Sequence, residues 1–264
     1  MKPGFSTKLC PNFDFKKIDE LVHKTGFKYI EFQVGNDQAH EIEKFIDKSR
    51  NETKKELDKY EFKPWVVASS VHLNEEALQE FDRVKEELIK WSELAVRLGV
   101  DYIRIFPAST VLSEKDLIKL LKQFSEVVSD FAVELLLETH GAISTGETMS
   151  NILDKAGVTN INVIWDIAHS VVHGESISET YRFLAPYLKH VHIKDFAKIG
   201  EGKDDNPYSN WKRFVPFGEG DFPLTEMFAV LRENDFQGVL SVEIPAEYDT
   251  PENILLDANK YFHS

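Results

Sequence analysis

The chain has a single cysteine, Cys10, in 264 residues. One thiol excludes an intrachain disulfide and fits a reducing compartment. No stretch approaches the roughly 18 apolar residues of a membrane span. The opening MKPGFSTKLCPN lacks the apolar core of about 7–15 residues that a secretory signal needs. Basic residues are scarce, with 31 Lys and Arg against 45 Asp and Glu, a formal net charge of −14. Without a basic stripe, a nucleic-acid surface is not expected. No GxGxxG or GxxxxGKS/T follows any apolar run, so nucleotide binding has no support. What is left reads as a soluble, cytoplasmic protein, with a homo-oligomer left open. Its 42% hydrophobic and 29% charged residues are an ordinary globular balance.

Short β-branched or aromatic runs recur along the chain, each followed by a segment of helical periodicity. The expected strands are FSTKL (5–9), KYIEFQV (28–34), WVVASSVHL (65–73), DYIRIFP (101–107), VELLLETH (133–140), NVIWDIAH (162–169), LKHVHIKDF (188–196) and GVLSVEI (238–244). Helices are expected at 14–25, 37–60, 75–98, 113–130, 148–156, 177–185, 224–234 and 251–262. Thr25-Gly26-Phe27 and Leu98-Gly99-Val100 look like one helix-to-strand joint used twice, with glycine as the left-handed cap. Eight such units in 264 residues average about 33 residues each. That suits a single-domain (β/α)8 TIM barrel over residues 1–264, for which about 250 residues is typical. A doubly wound sheet competes, but it usually carries fewer units and a glycine-rich first turn. The irregular piece at 197–222 is too long for an idle connection, and reads as a lid or a subunit contact.

A barrel builds its site at the C-terminal ends of its strands. The polar residues there are Glu31, His72, Arg104, Glu138 with His140, Asp166 with His169, His192 with Lys194, and Glu243. Four apolar runs end in a metal-ligand type: LLLE in Glu138, VIWD in Asp166, KHVH in His192 and LSVE in Glu243. Three carboxylates and an imidazole converging there suit one divalent cation, Mn²⁺ first, with Mg²⁺, Co²⁺ or Zn²⁺ as alternatives. Each acid taken alone also reads as a helix N-cap or a solvated loop residue. Phe106, Trp165, Phe196, Trp211 and Phe217 stand near the mouth, as cover for a site or as core. His173 receives no role.

The motifs GFKYIEF, LLLETHG, VIWDIAH, HVHIKD, PFGEGDFPL and SVEI stand in an order and spacing that resemble the xylose-isomerase-like barrels. That superfamily includes sugar isomerases, epimerases, inosose and dehydroshikimate dehydratases, hydroxypyruvate isomerase and apurinic endonucleases. The resemblance implies a metal held by Glu138, Asp166, His192 and Glu243, with Glu138 and Glu243 doubling as acid and base on opposite faces of a sugar. It places His169 and Arg213 on the substrate; the strand-end residues Glu31, His72, Arg104, His140 and Lys194 are expected as further substrate contacts. Lys194 reads alternatively as a strand-end salt bridge. The activity implied is isomerisation or epimerisation of a sugar or sugar phosphate through an enediolate; dehydration of an inosose or dehydroshikimate is the alternative, and a non-catalytic sugar-binding relative ranks below both. The endonuclease branch adds a strand-4 histidine and an Asp-x-His after strand 7. Here strand 4 reads RIFP and the later segment KRFVPFGEG, so nuclease activity is not expected.

Overall fold

The computed structural model describes residues 1–35, 40–107, 112–200 and 208–263, with backbone alone at Lys212 and Arg213. The strands are β1 (Lys2–Ser6), β2 (Tyr29–Gln33), β3 (Lys63–Leu73), β4 (Tyr102–Pro107), β5 (Glu134–Glu138), β6 (Ile161–Asp166), β7 (Leu188–Ile193), β8 (Phe196–Lys198), β9 (Trp211–Arg213) and β10 (Val239–Val242). Eight of them close into a parallel barrel in the order β1-β10-β7-β6-β5-β4-β3-β2. The other two, β8 and β9, form an antiparallel ribbon that begins at Phe196 and runs into the 197–222 segment. Among the described residues, no helix is long and apolar enough to cross a membrane.

Strands buried on both faces read as continuous apolar runs, and β5 and β6 show why. Alternate side chains of a strand point to opposite faces. Leu135, Leu137, Val163 and Trp165 join the main core beneath the helices. Leu136 and Ile164 instead meet Val66 and Ala68 in a separate small cluster inside the barrel. Parity then dictates that Glu138 and Asp166, two residues beyond Leu136 and Ile164, also face inward. The register pairs Asp166 with His192, and His192 with Ser241. The same parity brings in Glu243 from the end of β10.

The repeated joint is present: Gly26 (φ 79) ends helix Phe15–Thr25 and Gly99 (φ 69) ends helix Phe81–Leu98. Elsewhere the elements depart from the periodicity. β1 begins three residues before the expected 5–9, and Thr7–Leu9 forms one 3-10 turn capped by Ser6. The expected helix 75–98 is two, Glu75–Gln79 and Phe81–Leu98, broken at Glu80 (φ −122, ψ 45). The apolar spacing continues across that break, so periodicity cannot register it. Within 37–60, residues 37–39 lie outside the described residues; Glu41–Phe45 is a 3-10 turn and Arg50–Leu57 a helix entered through a Ser49–Glu52 capping box. β6 stops at Asp166, whose Oδ1 accepts from the Ala168 amide at 2.9 Å and starts helix Ile167–Val172.

β1 closes the barrel between β10 and β2, and Gly4 makes that approach possible. A Cβ at Gly4 would stand 2.5 Å from the Tyr29 carbonyl oxygen and 2.7 Å from Val239 Cγ1. Gly4→Ala is expected to cost about 1–3 kcal/mol, the usual range for overpacking, read as a lower urea midpoint at unchanged m-value. An unchanged midpoint would mean that the closure tolerates the extra carbon.

Candidate active site

A cavity of ≈ 650 Å³ opens at the C-terminal ends of the strands. It is lined by Glu138, His140, Asp166, His169, Lys194 and Glu243, with Lys8, Phe106, Phe196, Tyr208 and Phe214 around them. A second cavity of ≈ 680 Å³ lies on the opposite face, among Lys2, Tyr29, Trp65 and Arg97. It holds none of the converging carboxylates, and barrel chemistry belongs to the C-terminal face.

The inward carboxylates are held by cations. Lys194 Nζ donates to Asp166 Oδ2 and to Glu243 Oε2, each at 2.6 Å. Lys8, from the turn after β1, donates to Glu243 Oε1 at 2.9 Å. Burial alone would raise these carboxyl pKa values, but Lys194, Lys8, His169 and His192 pull Asp166 and Glu243 below the usual carboxylate range. Burial likewise opposes charge on Glu138, and His192 and Arg104 outweigh it, so Glu138 is also held low. Burial would neutralise the Lys194 ammonium; Asp166 and Glu243 raise its pKa instead.

Glu31 organises the layer below. Its Oε2 accepts from His192 Nε2 at 2.7 Å and from His190 Nε2 at 3.1 Å. Its Oε1 accepts from Arg104 Nη1 at 3.1 Å and from Gln33 Nε2 at 3.3 Å. A carboxylate can only accept, so His192 carries a proton on Nε2 and turns Nδ1 to the mouth. That nitrogen stands 3.5 Å from Glu138 Oε1 and 4.0 Å from Asp166 Oδ2. Burial disfavours an imidazolium, but Glu31 and Glu138 raise His192 to about 10. A metal bound at Nδ1 would require that nitrogen free of a proton.

The residues present fit a divalent cation. His192 Nδ1 and Glu138 Oε2 are buried with no hydrogen-bond partner. Donor atoms of Asp166, His192 and Glu243 lie within 4.8 Å of one another, as do those of Glu138, Asp166 and His169. Hard carboxylate oxygens with one imidazole suit Mn²⁺, Mg²⁺, Co²⁺ or Zn²⁺. Glu31, His190 and His192 are also grouped, but Nε2 of each histidine is already bonded to Glu31 at the distances above.

The expected residues divide by depth. Glu138, His140, Asp166, His169, Lys194 and Glu243 line the cavity, and His192 is fully buried against Glu138 and Asp166. Glu31 and Arg104, expected on the substrate, are buried one layer down and bonded to each other. Arg104 places its guanidinium 4.3 Å from the Phe106 ring centroid. His72 is not among the lining residues; it is stacked on Phe106 with Nδ1 donating to the Ser70 carbonyl at 2.6 Å. The Arg213 side chain lies outside the described residues. Lys194 does make the strand-end salt bridge, within the mouth itself. Asp166 caps its helix through Oδ1 and turns Oδ2 to the cavity, so the two readings of that acid hold together. Of the aromatics, Phe106 and Phe196 line the cavity. Trp165 is core, its Nε1 donating to Ser170 Oγ at 2.9 Å, and Phe217 is core.

The sequence profile of the xylose isomerase-like TIM barrel matches residues 20–263. The chain belongs to that family. Among its relatives, an inosose dehydratase of Clostridium perfringens is 28% identical over 172 residues, 60% of this chain and 57% of the relative. The match thus spans under two thirds of that enzyme. An inosose isomerase of Halalkalibacterium halodurans is 24% identical over 243 residues, 88% of this chain and 83% of the relative. A crystal structure of an IolI protein with a bound zinc atom shares the barrel at TM-score 0.79 and 22% identity, covering 99% of this chain and 96% of the other.

Lys8, Gln33, His190, Phe214 and Tyr208 escaped the sequence reading. His190 was findable, since KHVH puts two histidines on one face of β7 by the two-residue period. Lys8 was hidden by the misplaced end of β1, and Tyr208 lies in the irregular segment.

Because Glu31 orients the His192 ring, Glu31→Gln is expected to weaken divalent-metal affinity by about 10–100-fold, the usual effect of losing a partner behind a ligand. Titration calorimetry with Mn²⁺ measures it. Wild-type affinity in the variant would show that the ring needs no such support.

Proposed function

We propose that the chain is a divalent-metal-dependent isomerase or epimerase that removes a proton beside the carbonyl of a polyhydroxy ketone. The observation carrying this reading is the pair Glu138 and Glu243. They come from strands separated in the barrel by β6 and β7, both are held ionised, and both line one cavity. A divalent cation on Glu138, Asp166, His192 and Glu243 would supply Lewis-acid stabilisation of charge on the carbonyl oxygen. One glutamate accepts the proton from the adjacent carbon, and the other returns a proton. Return to the opposite face of the same carbon gives an epimer; return to the neighbouring carbon gives an aldose–ketose isomer. Lys194 and Arg213 orient substrate hydroxyls, while Phe106 and Phe196 exclude water from the sides.

An unphosphorylated ketone suits the pocket better than a sugar phosphate. Its described lysines, Lys8 and Lys194, are both engaged by carboxylates. The relatives named for inosose support an unphosphorylated substrate as well. A net charge of −14 supports a small carbohydrate over nucleic acid, in keeping with a cytoplasmic enzyme. Mn²⁺ is the first cation to supply; the zinc in the IolI structure makes Zn²⁺ the second.

Dehydration is the second reading, favoured by the dehydratase names and by His140, two residues from Glu138 in the same cavity. There, the same deprotonation is followed by loss of a neighbouring hydroxyl with His140 as the acid.

Ketoses, ketose phosphates and inososes incubated with Mn²⁺ in D₂O separate these readings. Deuterium uptake at one carbon without loss of water is expected, and loss of a hydroxyl would select dehydration. Glu138→Gln and Glu243→Gln should each lower turnover by about 10²–10⁴-fold. Full turnover in either variant would remove the two-glutamate reading.

A further inference from the structure

His169 lies between Asp166 and Tyr208. Nε2 stands 3.5 Å from Asp166 Oδ2, and Nδ1 is hydrogen-bonded to the Tyr208 hydroxyl. The Tyr208 ring is itself held edge-on by two imidazoles, His169 at 5.6 Å and His173 at 5.8 Å between centroids. His173 is fixed in turn by donating from Nδ1 to the His169 carbonyl at 2.8 Å. On the far side, His140 packs edge-on against His169 at 4.4 Å. The imidazole thus has little freedom to flip.

We infer that Tyr208 is a positioning residue that locks His169 in the tautomer with its proton on Nε2, making His169 a fixed hydrogen-bond donor at the cavity floor. The carboxylate of Asp166 only accepts, so the nitrogen facing it carries the hydrogen. The other tautomer would set a lone pair against that carboxylate. With Nε2–H committed to that side, Nδ1 has a lone pair and takes the proton of the Tyr208 O–H. A tyrosine hydroxyl both donates and accepts; donating here, it satisfies the Nδ1 lone pair and turns the preference set by Asp166 at 3.5 Å into a fixed tautomer. A partner that fixes the tautomer of a working histidine is the general means by which proteins choose what an imidazole offers.

The chemical consequence deepens the proposed function and rests on it: His169 cannot serve as a base. Its lone pair is spent on Tyr208 at the rim, and the face it turns to the substrate is an N–H. A ketone or hydroxyl oxygen beside Asp166 would accept from it, leaving proton removal to Glu138 and Glu243. A substrate carrying an oxygen acceptor at that place is favoured over its deoxy counterpart, because the analogue would leave this buried donor unmatched.

Long-range ¹H–¹⁵N correlation spectra of ¹⁵N-histidine-labelled full-length protein test this without any turnover. The His169 resonances are assigned by their loss in His169→Gln. The expected spectrum shows a pyrrole-type Nε2 and a pyridine-type Nδ1, both without added metal and with Mg²⁺. In Tyr208→Phe the two nitrogens should move toward averaged values, and kcat/KM on the substrate found by D₂O exchange should fall roughly tenfold, about the worth of one hydrogen bond. A protonated Nδ1 in the wild type overturns the inference, as does an unchanged pattern in Tyr208→Phe. The wild-type spectrum decides the tautomer even if that variant fails to fold. If the tautomer is as stated while no substrate exchanges deuterium, the functional reading fails and the positioning role stands.

Discussion

Three carboxylates turned into one buried mouth are the constraint on which the rest of this site depends. At about 4 Å and an effective dielectric near 20, each like-charged pair repels by roughly 4 kcal/mol. Such a cluster survives ionised only where positive charge surrounds it. The barrel supplies that charge from three directions. Lys194 bridges Asp166 and Glu243 from the end of β7, Lys8 reaches Glu243 from the turn after β1, and His192 with Arg104 faces Glu138 from below. A divalent cation would replace part of this arrangement with a stronger one, which is why the donor set suits a metal.

The support extends a full layer beneath the mouth. Glu31 has four hydrogen-bond partners and all of its own surface buried but 1%. Its four partners come from β2, β4 and β7, so one side chain ties three strands to the orientation of one imidazole. Metal-site histidines commonly spend their second nitrogen in this way. A similar device holds the rim. Asp195, two residues beyond the end of β7, accepts from the Gly218 and Gly220 amides at 2.8 and 3.1 Å. The GEG loop is therefore pinned beside Phe196 rather than left as a loose entry to the following helix.

Much of the architecture was legible because it depends on local periodicity. Apolar runs separated by amphipathic stretches are enough to define alternating strands and helices, and LLLE, VIWD, KHVH and LSVE ended the right strands. What failed were the ends of elements, where tertiary contacts decide. β1 moved to 2–6 because its register is set by β10 and β2, and the turn it freed carries Lys8. The break at Glu80 was invisible because the apolar face of the helix runs straight across it.

Chemical identity at the mouth was likewise written along the chain: which strand ends in an acid, which in an imidazole, and by parity which of them face inward. The depth of each residue was not. Glu31 and Arg104 end or occupy strands as Glu138 does, yet they lie below the cavity and act on one another. Pairings across 73 and 161 residues, Arg104 and His192 to Glu31, exist only because the sheet closes into a barrel. Closure also brings Tyr208 over His169 and sets Lys8 against Glu243 across 235 residues. A linear sequence names the donors and acceptors; only a closed barrel brings charges this far apart in the chain into hydrogen-bond contact and so decides what each is free to do.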